Sequence, residues 1–453
     1  MESVLSPSRL VPRFATPRLL EAIEDSPAVL VGGPRQCGKT TLALSLCGQR
    51  YLADAGRLPG LPPDGLGYAY ITFDDPAAQA AAKADPVGFV ADLPERIVLD
   101  EVQQVPGIFG ALKVAIDRNR VPGRFVLTGS ANVLLVPRMA DSLAGRMETV
   151  RLYPLAQAEL ATATANSLAV GARHPKARPE SSFLKTLFDG GFTTSTHRRL
   201  GAELAERIAG GGFPAALARP PGLRRTRWYR DYTDAMIQRD ITDLARVSNL
   251  GTLPRLLEVT AAQSANLFNV SRLAGPFQVS LPTVRNYLTL FERLFLVDLL
   301  PPWHSNRLKR LVKTPKLHMG DTGLACALLG ADAGSLMADR HLLGRLLETF
   351  VYGELRRQAG WLDDGMRFYH FRDRDGYEVD IVIEWGATQV AGIEVKAAST
   401  VTESDFRGLR KLQTGAGRRF AGGILLYDGE LSVSFGNGLR AVPISRLWTP
   451  SPS

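Results

Sequence analysis

Three cysteines, Cys37, Cys47 and Cys326, are too few and too scattered over 453 residues to staple a secreted fold. No Cys/His set stands at zinc spacing either. Long apolar runs are missing: the best stretches, such as Leu294–Leu300, are short and carry a charge, against the roughly 20 residues a spanning helix needs. The opening segment, MESVLSPSRLVPRF, lacks the basic-then-apolar layout of a secretory leader. These absences argue against membrane and export and predict a cytoplasmic protein. Composition is otherwise ordinary, 45% hydrophobic and 22% charged, which excludes disorder of the whole chain. At about 100–200 residues per domain the length predicts two to four cores.

Charge is present in small excess, 54 Lys+Arg against 45 Asp+Glu, a formal +9. Its location matters more than its size. Residues 211–320 hold 16 basic and 7 acidic side chains, so the rest of the chain is balanced at 38 each. The first 155 residues alternate β-like runs (Ala28–Val31, Tyr68–Phe73, Ile97–Leu99, Phe125–Thr128) with helical stretches such as Ile108–Asn119, the pattern of a parallel sheet with crossover helices. Residues 161–182 are small, polar and Pro-containing and suggest an insertion or lid. Residues 223–300 look all-helical, and β-like runs return from Met366 onward.

The strongest motif is Gly33-Pro34-Arg35-Gln36-Cys37-Gly38-Lys39-Thr40, followed by Thr41, between an apolar strand and a helical run. Glycines let backbone N–H groups face phosphate, and the helix N-terminus adds positive partial charge. Lys39 is placed to reach the β- and γ-phosphates, and Thr40 to hold Mg²⁺. Cys37 lacks a nearby His and reads as a small filler. A second apolar strand ends in Asp100-Glu101; there Asp100 helps hold Mg²⁺ and Glu101 polarises the attacking water. A third strand leads to Thr128, Ser130 and Asn132, all of which qualify as the polar residue beside the γ-phosphate. Arg146 qualifies as an arginine finger for a neighbouring subunit, which would make a homo-oligomer. Asp74-Asp75 is expected to cap or turn the chain before Pro76.

Two acid-free basic runs, residues 219–230 with Trp228-Tyr229 inside and residues 301–320, flank a helix–turn–helix pattern over residues 269–288. The arrangement resembles a winged helix presenting Thr283, Arg285 and Asn286 to a groove, with Arg224, Arg225, Arg307, Lys309 and Arg310 on phosphates. DNA is the expected partner.

Near the C-terminus, period-2 alternation places Glu378, Asp380 and Val382 on one face of a strand, and Glu394 and Lys396 on one face of the next. Hairpin pairing would gather Asp380, Glu394 and Lys396; the two carboxylates suit Mg²⁺ and the amine suits a transferring phosphate. The pattern resembles the Asp…Glu-x-Lys signature of restriction-endonuclease-like PD-(D/E)XK nucleases. Those often add an acid from a preceding helix, here Glu348 by the family pattern. Helical geometry places Glu354 amid Leu343, Leu347, Phe350 and Val351, with Glu348 at the edge of that stripe.

Taken in order, GGPRQCGKTTL, FDDP, VLDEVQQVP, LTGSAN, SLAGR and LYPLAQAEL resemble an AAA-type ATPase domain widespread in bacteria and archaea. GGFPAAL, RDI, PKLHMGDTGLA and EVDIVIE…IEVK resemble the C-terminal domain of unknown function usually fused to it. With the readings above, the resemblance gives an expected α/β protein, a P-loop parallel sheet followed by further modules, in four parts: an ATPase core (1–160), an insertion with lid helices (161–220), a winged-helix-like basic module (221–320) and a nuclease-like domain (321–453). It implies ATP binding and hydrolysis with Mg²⁺; the basic middle and the acidic cluster add the expectation that nucleotide state is coupled to DNA binding and possible DNA cleavage. The rival readings are a nucleotide-gated switch without nuclease activity and a sensor whose basic centre docks another protein.

Overall fold

A computed structural model of the protein describes residues 10–48, 64–130, 143–168, 182–241, 251–271, 277, 280–306, 314–362 and 365–449. Strand β1 (Ala28–Gly32) is buried along its whole length, and its side chains divide between two cores. Val29 and Val31 meet helices Thr16–Asp25 and Lys39–Leu44, while Ala28 and Leu30 meet helix Ile108–Arg118. A strand covered on both faces reads as a continuous apolar run, as AVLV does. With β2 (Ala69–Thr72), β3 (Ile97–Asp100), β4 (Phe125–Gly129) and β5 (Met147–Arg151) it forms a parallel sheet of order β2-β3-β4-β1-β5. The phosphate loop therefore leaves the same edge of the sheet at which β3 and β4 end. Asp75 caps helix Pro76–Ala84, as its position before proline leads one to expect.

Beyond β5 the chain runs through helix Gln157–Leu168. It then enters helix Phe183–Asp189 and strand β6 (Ser195–Thr196). Residues 169–181, most of the expected insertion, lie outside the described residues. From Phe183 onward the chain is not a separate lid: helix Phe183–Asp189 packs on the C-terminal sheet and β6 joins its edge.

The basic middle comprises helices Leu223–Ala235, Thr252–Ala262 and Leu281–Arg293. It also holds strands, which corrects the all-helical expectation for 223–300. Strands β7 (Asn266–Leu267), β8 (Val297–Leu300) and β9 (Lys316–Met319) make a small antiparallel sheet of order β7-β9-β8. β7 and β8 are too short for a periodic signal, and both depend on pairing with β9. Ser280 caps the third helix through Thr283 N–H at 3.2 Å. That helix buries Val284, Tyr287, Leu288 and Phe291.

The C-terminal sheet has the order β10-β11-β12-β13-β15-β14-β6. Its own strands are β10 (Met366–Arg372), β11 (Glu378–Trp385), β12 (Gln389–Lys396), β13 (Phe420–Tyr427), β14 (Leu431–Ser434) and β15 (Leu439–Pro443). Helices Arg340–Leu362 and Arg407–Ala416 both contact β12. The connection after β8 is fastened to β10: Trp303 N donates to His370 O at 2.6 Å, and His370 N to Pro301 O at 2.9 Å. The β8–β9 hairpin thus belongs to two modules at once.

Candidate functional site

Gly38, with φ of 102°, lets the loop turn into helix Lys39–Leu44. Gly33 is required by a different neighbour: a Cβ there would stand 1.9 Å from the Leu152 carbonyl. The loop is clamped from outside the motif. Arg13 donates to Cys37 O and Tyr153 O, both at 2.6 Å, and pairs with buried Glu159 at 3.1 Å. The Cys37 thiol donates to Leu152 O at 3.3 Å, and burial pushes its pKa up, so it fills space and is no nucleophile. Tyr232 of helix Leu223–Ala235 donates to Arg35 O at 3.5 Å, touching the loop from the basic module.

Lys39 is 4% exposed and rests on Pro34 O at 2.8 Å. Thr40 Oγ1 stands 3.1 and 3.3 Å from the two Asp100 oxygens. Asp100 also accepts from Thr128 and, at 2.8 Å, from Tyr70. Burial and the Asp100 carboxylate hold the Tyr70 phenol above its ordinary pKa, so it stays a donor. Glu101 sits just past β3 with a left-handed φ of 57°, and its N–H donates to Thr128 Oγ1 at 3.1 Å. Such a conformation is costly outside glycine and persists at sites that aim a side chain. Its carboxylate accepts from Gln103, which also donates to Ser130 Oγ at 2.8 Å. Thr128 and Ser130 thus take different places, one on Asp100 and one beside Glu101; Asn132 lies outside the described residues. One hydroxyl, one carboxylate and one amine facing a glycine loop form a donor set that fits a nucleotide with Mg²⁺.

Arg146 is elsewhere. It stands just before β5, at the sheet edge opposite the loop, with its guanidinium on Asp117. Within one chain it does not approach the nucleotide site.

In the basic module, Arg224, Arg285 and Asn286 are exposed and Thr283 is half-buried. Arg225 is not an outward contact: it donates to Ala216 O at 3.2 Å and Arg219 O at 3.1 Å. Trp228 and Tyr229 are buried against Phe213, which removes them as stacking platforms. Arg307, Lys309 and Arg310 lie outside the described residues.

The C-terminal acids do converge, but around a different lysine. Asp380 and Glu394 adjoin across β11 and β12, where Val395 N donates to Asp380 Oδ2 at 3.0 Å. Glu348 joins them. Glu354 does not: it is fully buried, accepting from Gln157 N at 2.9 Å and Arg357 at 2.6 Å. Lys396 pairs with Asp405 instead. The amine among the acids is that of Lys316, from β9, at 2.7 Å from Glu348 and 3.2 Å from both Glu378 and Asp380. Burial raises the Glu348 and Glu394 pKa values, and the neighbouring Asp380 charge raises them further. Burial opposes the Lys316 charge, yet Asp380, Glu348 and Glu378 outweigh it and hold the amine protonated. Among the described residues no group of three or more His, Cys, Asp or Glu side chains is arranged to hold a metal ion. The cluster as it stands does not fit a resident divalent ion.

Sequence reasoning missed Arg13, Tyr70, Gln103 and Lys316. Lys316 stands in the segment PKLHMGD, where nothing local separates it from the surface charge around it. Arg13 is 146 residues from Glu159, and no local pattern joins them.

Residues 25–161 match the family described as an AAA domain, so the loop-bearing region is similar to AAA-type P-loop domains. Residues 201–335 and 343–447 match two domains of unknown function, DUF8612 and DUF4143. Two relatives span nearly the whole chain: the uncharacterized proteins Mb2031c of Mycobacterium bovis and Rv2008c of Mycobacterium tuberculosis. Each is 29% identical over 441 residues, covering 96% of this chain and 84% of its own. Two solved structures show partial likeness. One is the Thermococcus gammatolerans assembly of McrB AAA+ hexamers with bound McrC, at 12% identity and a TM-score of 0.19, covering 44% of this chain and 72% of that one. The other is a DNA polymerase III gamma subunit-related protein of Thermotoga maritima, at 15% identity and 0.22, covering 62% and 99%. Among the described residues no helix is long and apolar enough to cross a membrane.

Proposed function

We propose that the protein hydrolyses ATP and couples nucleotide state to DNA binding by its basic middle module. The observation that carries the ATP reading is the gathering of Lys39, Thr40, Asp100 and Glu101 at one edge of the parallel sheet. Lys39 leaves Pro34 O and binds the β- and γ-phosphates, while loop N–H groups hold the rest of the phosphate chain. Thr40 and Asp100 would hold a Mg²⁺ ion brought by the nucleotide, which would supply positive charge against the phosphates. Glu101 accepts a proton from the attacking water, and Gln103 with Ser130 orients the carboxylate. Lys39→Ala is expected to weaken ATP binding about 10- to 100-fold, the loss of one charge-assisted contact. Titration with a fluorescent ATP analogue measures it; equal binding by wild type and variant defeats the reading.

The DNA half rests on the winged-helix-like order of the middle module: helix, strand, capped helix, then a two-stranded hairpin. The capped helix turns Arg285 and Asn286 outward, and Tyr232 links the module to the loop. Reversing Arg224 and Arg285 to Glu should lower duplex affinity roughly tenfold and reduce the salt slope by about 2. Fluorescence anisotropy across a salt series reads both. Unchanged affinity and slope would return the module to protein docking.

A further inference from the structure

The C-terminal carboxylates carry an inference separate from the ATP reading. Four acids, Glu348, Glu378, Asp380 and Glu394, come from one helix and two strands, and three of them share one cation. An ammonium has three protons, and Lys316 has three carboxylates within 3.2 Å. Its side chain is 2% exposed. The amine donates hydrogen bonds to Glu348 at 2.7 Å and Asp380 at 3.2 Å and forms an ion pair with Glu378 at 3.2 Å, so it stands among the carboxylates a divalent ion would need. The lysine that the nuclease pattern would use, Lys396, is engaged by Asp405. Lys316 also comes from another module, on the hairpin whose first strand runs on to meet β10 at His370.

We propose that Lys316 is the built-in cation of this cluster, standing where a metal-dependent nuclease holds its divalent ion. The cluster then serves as a joint that fastens the β8–β9 hairpin of the basic module to the C-terminal sheet.

The test titrates Mn²⁺ into nucleotide-free full-length protein and follows the free-ion signal by electron paramagnetic resonance. Wild type and Asp380→Asn should bind Mn²⁺ alike, because the ammonium already occupies the centre of the cluster. Lys316→Met, which removes the ammonium and leaves the acids, should bind Mn²⁺ about tenfold more tightly or better. Adding Asp380→Asn to that variant should abolish the gain. A wild-type Mn²⁺ site that disappears in Asp380→Asn overturns the proposal, as does Mn²⁺-dependent plasmid cleavage that Asp380→Asn abolishes. A cooperatively melting Lys316→Met protein with no gain in Mn²⁺ binding also overturns it. The wild-type comparison uses no variant of Lys316 and decides the matter alone if Lys316→Met does not fold. ATP hydrolysis enters none of these readouts, so failure here and failure of the ATP reading are distinguishable.

Discussion

Glu101→Gln is expected to cut ATP turnover by about 100- to 1000-fold while leaving ATP affinity within about twofold of wild type. The substitution keeps the size and the hydrogen-bonding oxygen, so the backbone at φ 57° and its N–H bond to Thr128 have no reason to move. It removes the one property that the proposed step needs, a carboxylate able to take a proton from water. The residues proposed to hold the phosphates and the metal, Lys39, Thr40 and Asp100, are untouched. Phosphate release gives the rate, and a fluorescent nucleotide titration gives the affinity. A drop in both together would mean that Glu101 shapes the loop. A rate unchanged by the substitution would remove it as the base.

The nucleotide site is legible in the sequence because its parts are local. Eight consecutive residues specify the loop, and Asp100-Glu101 follows an apolar strand and takes its meaning from that loop. The supports of those parts are not local. Arg13 and Glu159 brace the loop from opposite ends of the domain, and β5, the half-polar METVR, carries no strand signal. The basic middle is legible as charge but not as surface. Arg225 and Lys316 both count toward the excess, yet one is spent on backbone carbonyls and the other on buried acids. Period-2 reasoning puts Glu394 and Lys396 on the same face of β12. Which lysine reaches the acids is decided elsewhere, by Asp405 taking Lys396 and by β9 delivering Lys316 from another sheet. Helical phase cannot separate Glu348 from Glu354, since both lie near one stripe; their partners, Lys316 and Arg357, separate them.

Asp321→Ala should destabilise the chain by about 2–5 kcal/mol, the loss of a helix cap together with an orphaned buried N–H. Asp321 is 3% exposed and begins helix Thr322–Leu329, where one carboxylate oxygen accepts from Gly323 N at 2.9 Å and Leu324 N at 3.2 Å. The same oxygen accepts from Tyr229 OH at 3.0 Å, and the other from Gly212 N at 2.8 Å and Arg357 at 3.4 Å. Four segments thus meet on one side chain: the glycine turn before Phe213, the arginine-rich helix, its own helix, and helix Arg340–Leu362. Alanine leaves the N-terminus of its helix uncapped, about 0.5–2 kcal/mol, and orphans the buried Gly212 N–H, about 1–3 kcal/mol more, which together span about 2–5 kcal/mol. Tyr229 OH keeps Gly210 O at 3.0 Å, and Arg357 keeps Glu354 at 2.6 Å, so neither is left without a partner and the loss stays within that range. A fall in melting temperature of roughly 5–15 °C should accompany it. Asp321→Asn, which retains one acceptor oxygen for the helix cap, should fall between wild type and alanine. Thermal melts of the three proteins measure the ordering; a shift no larger than that of an exposed carboxylate would show that these segments are held together by apolar packing alone.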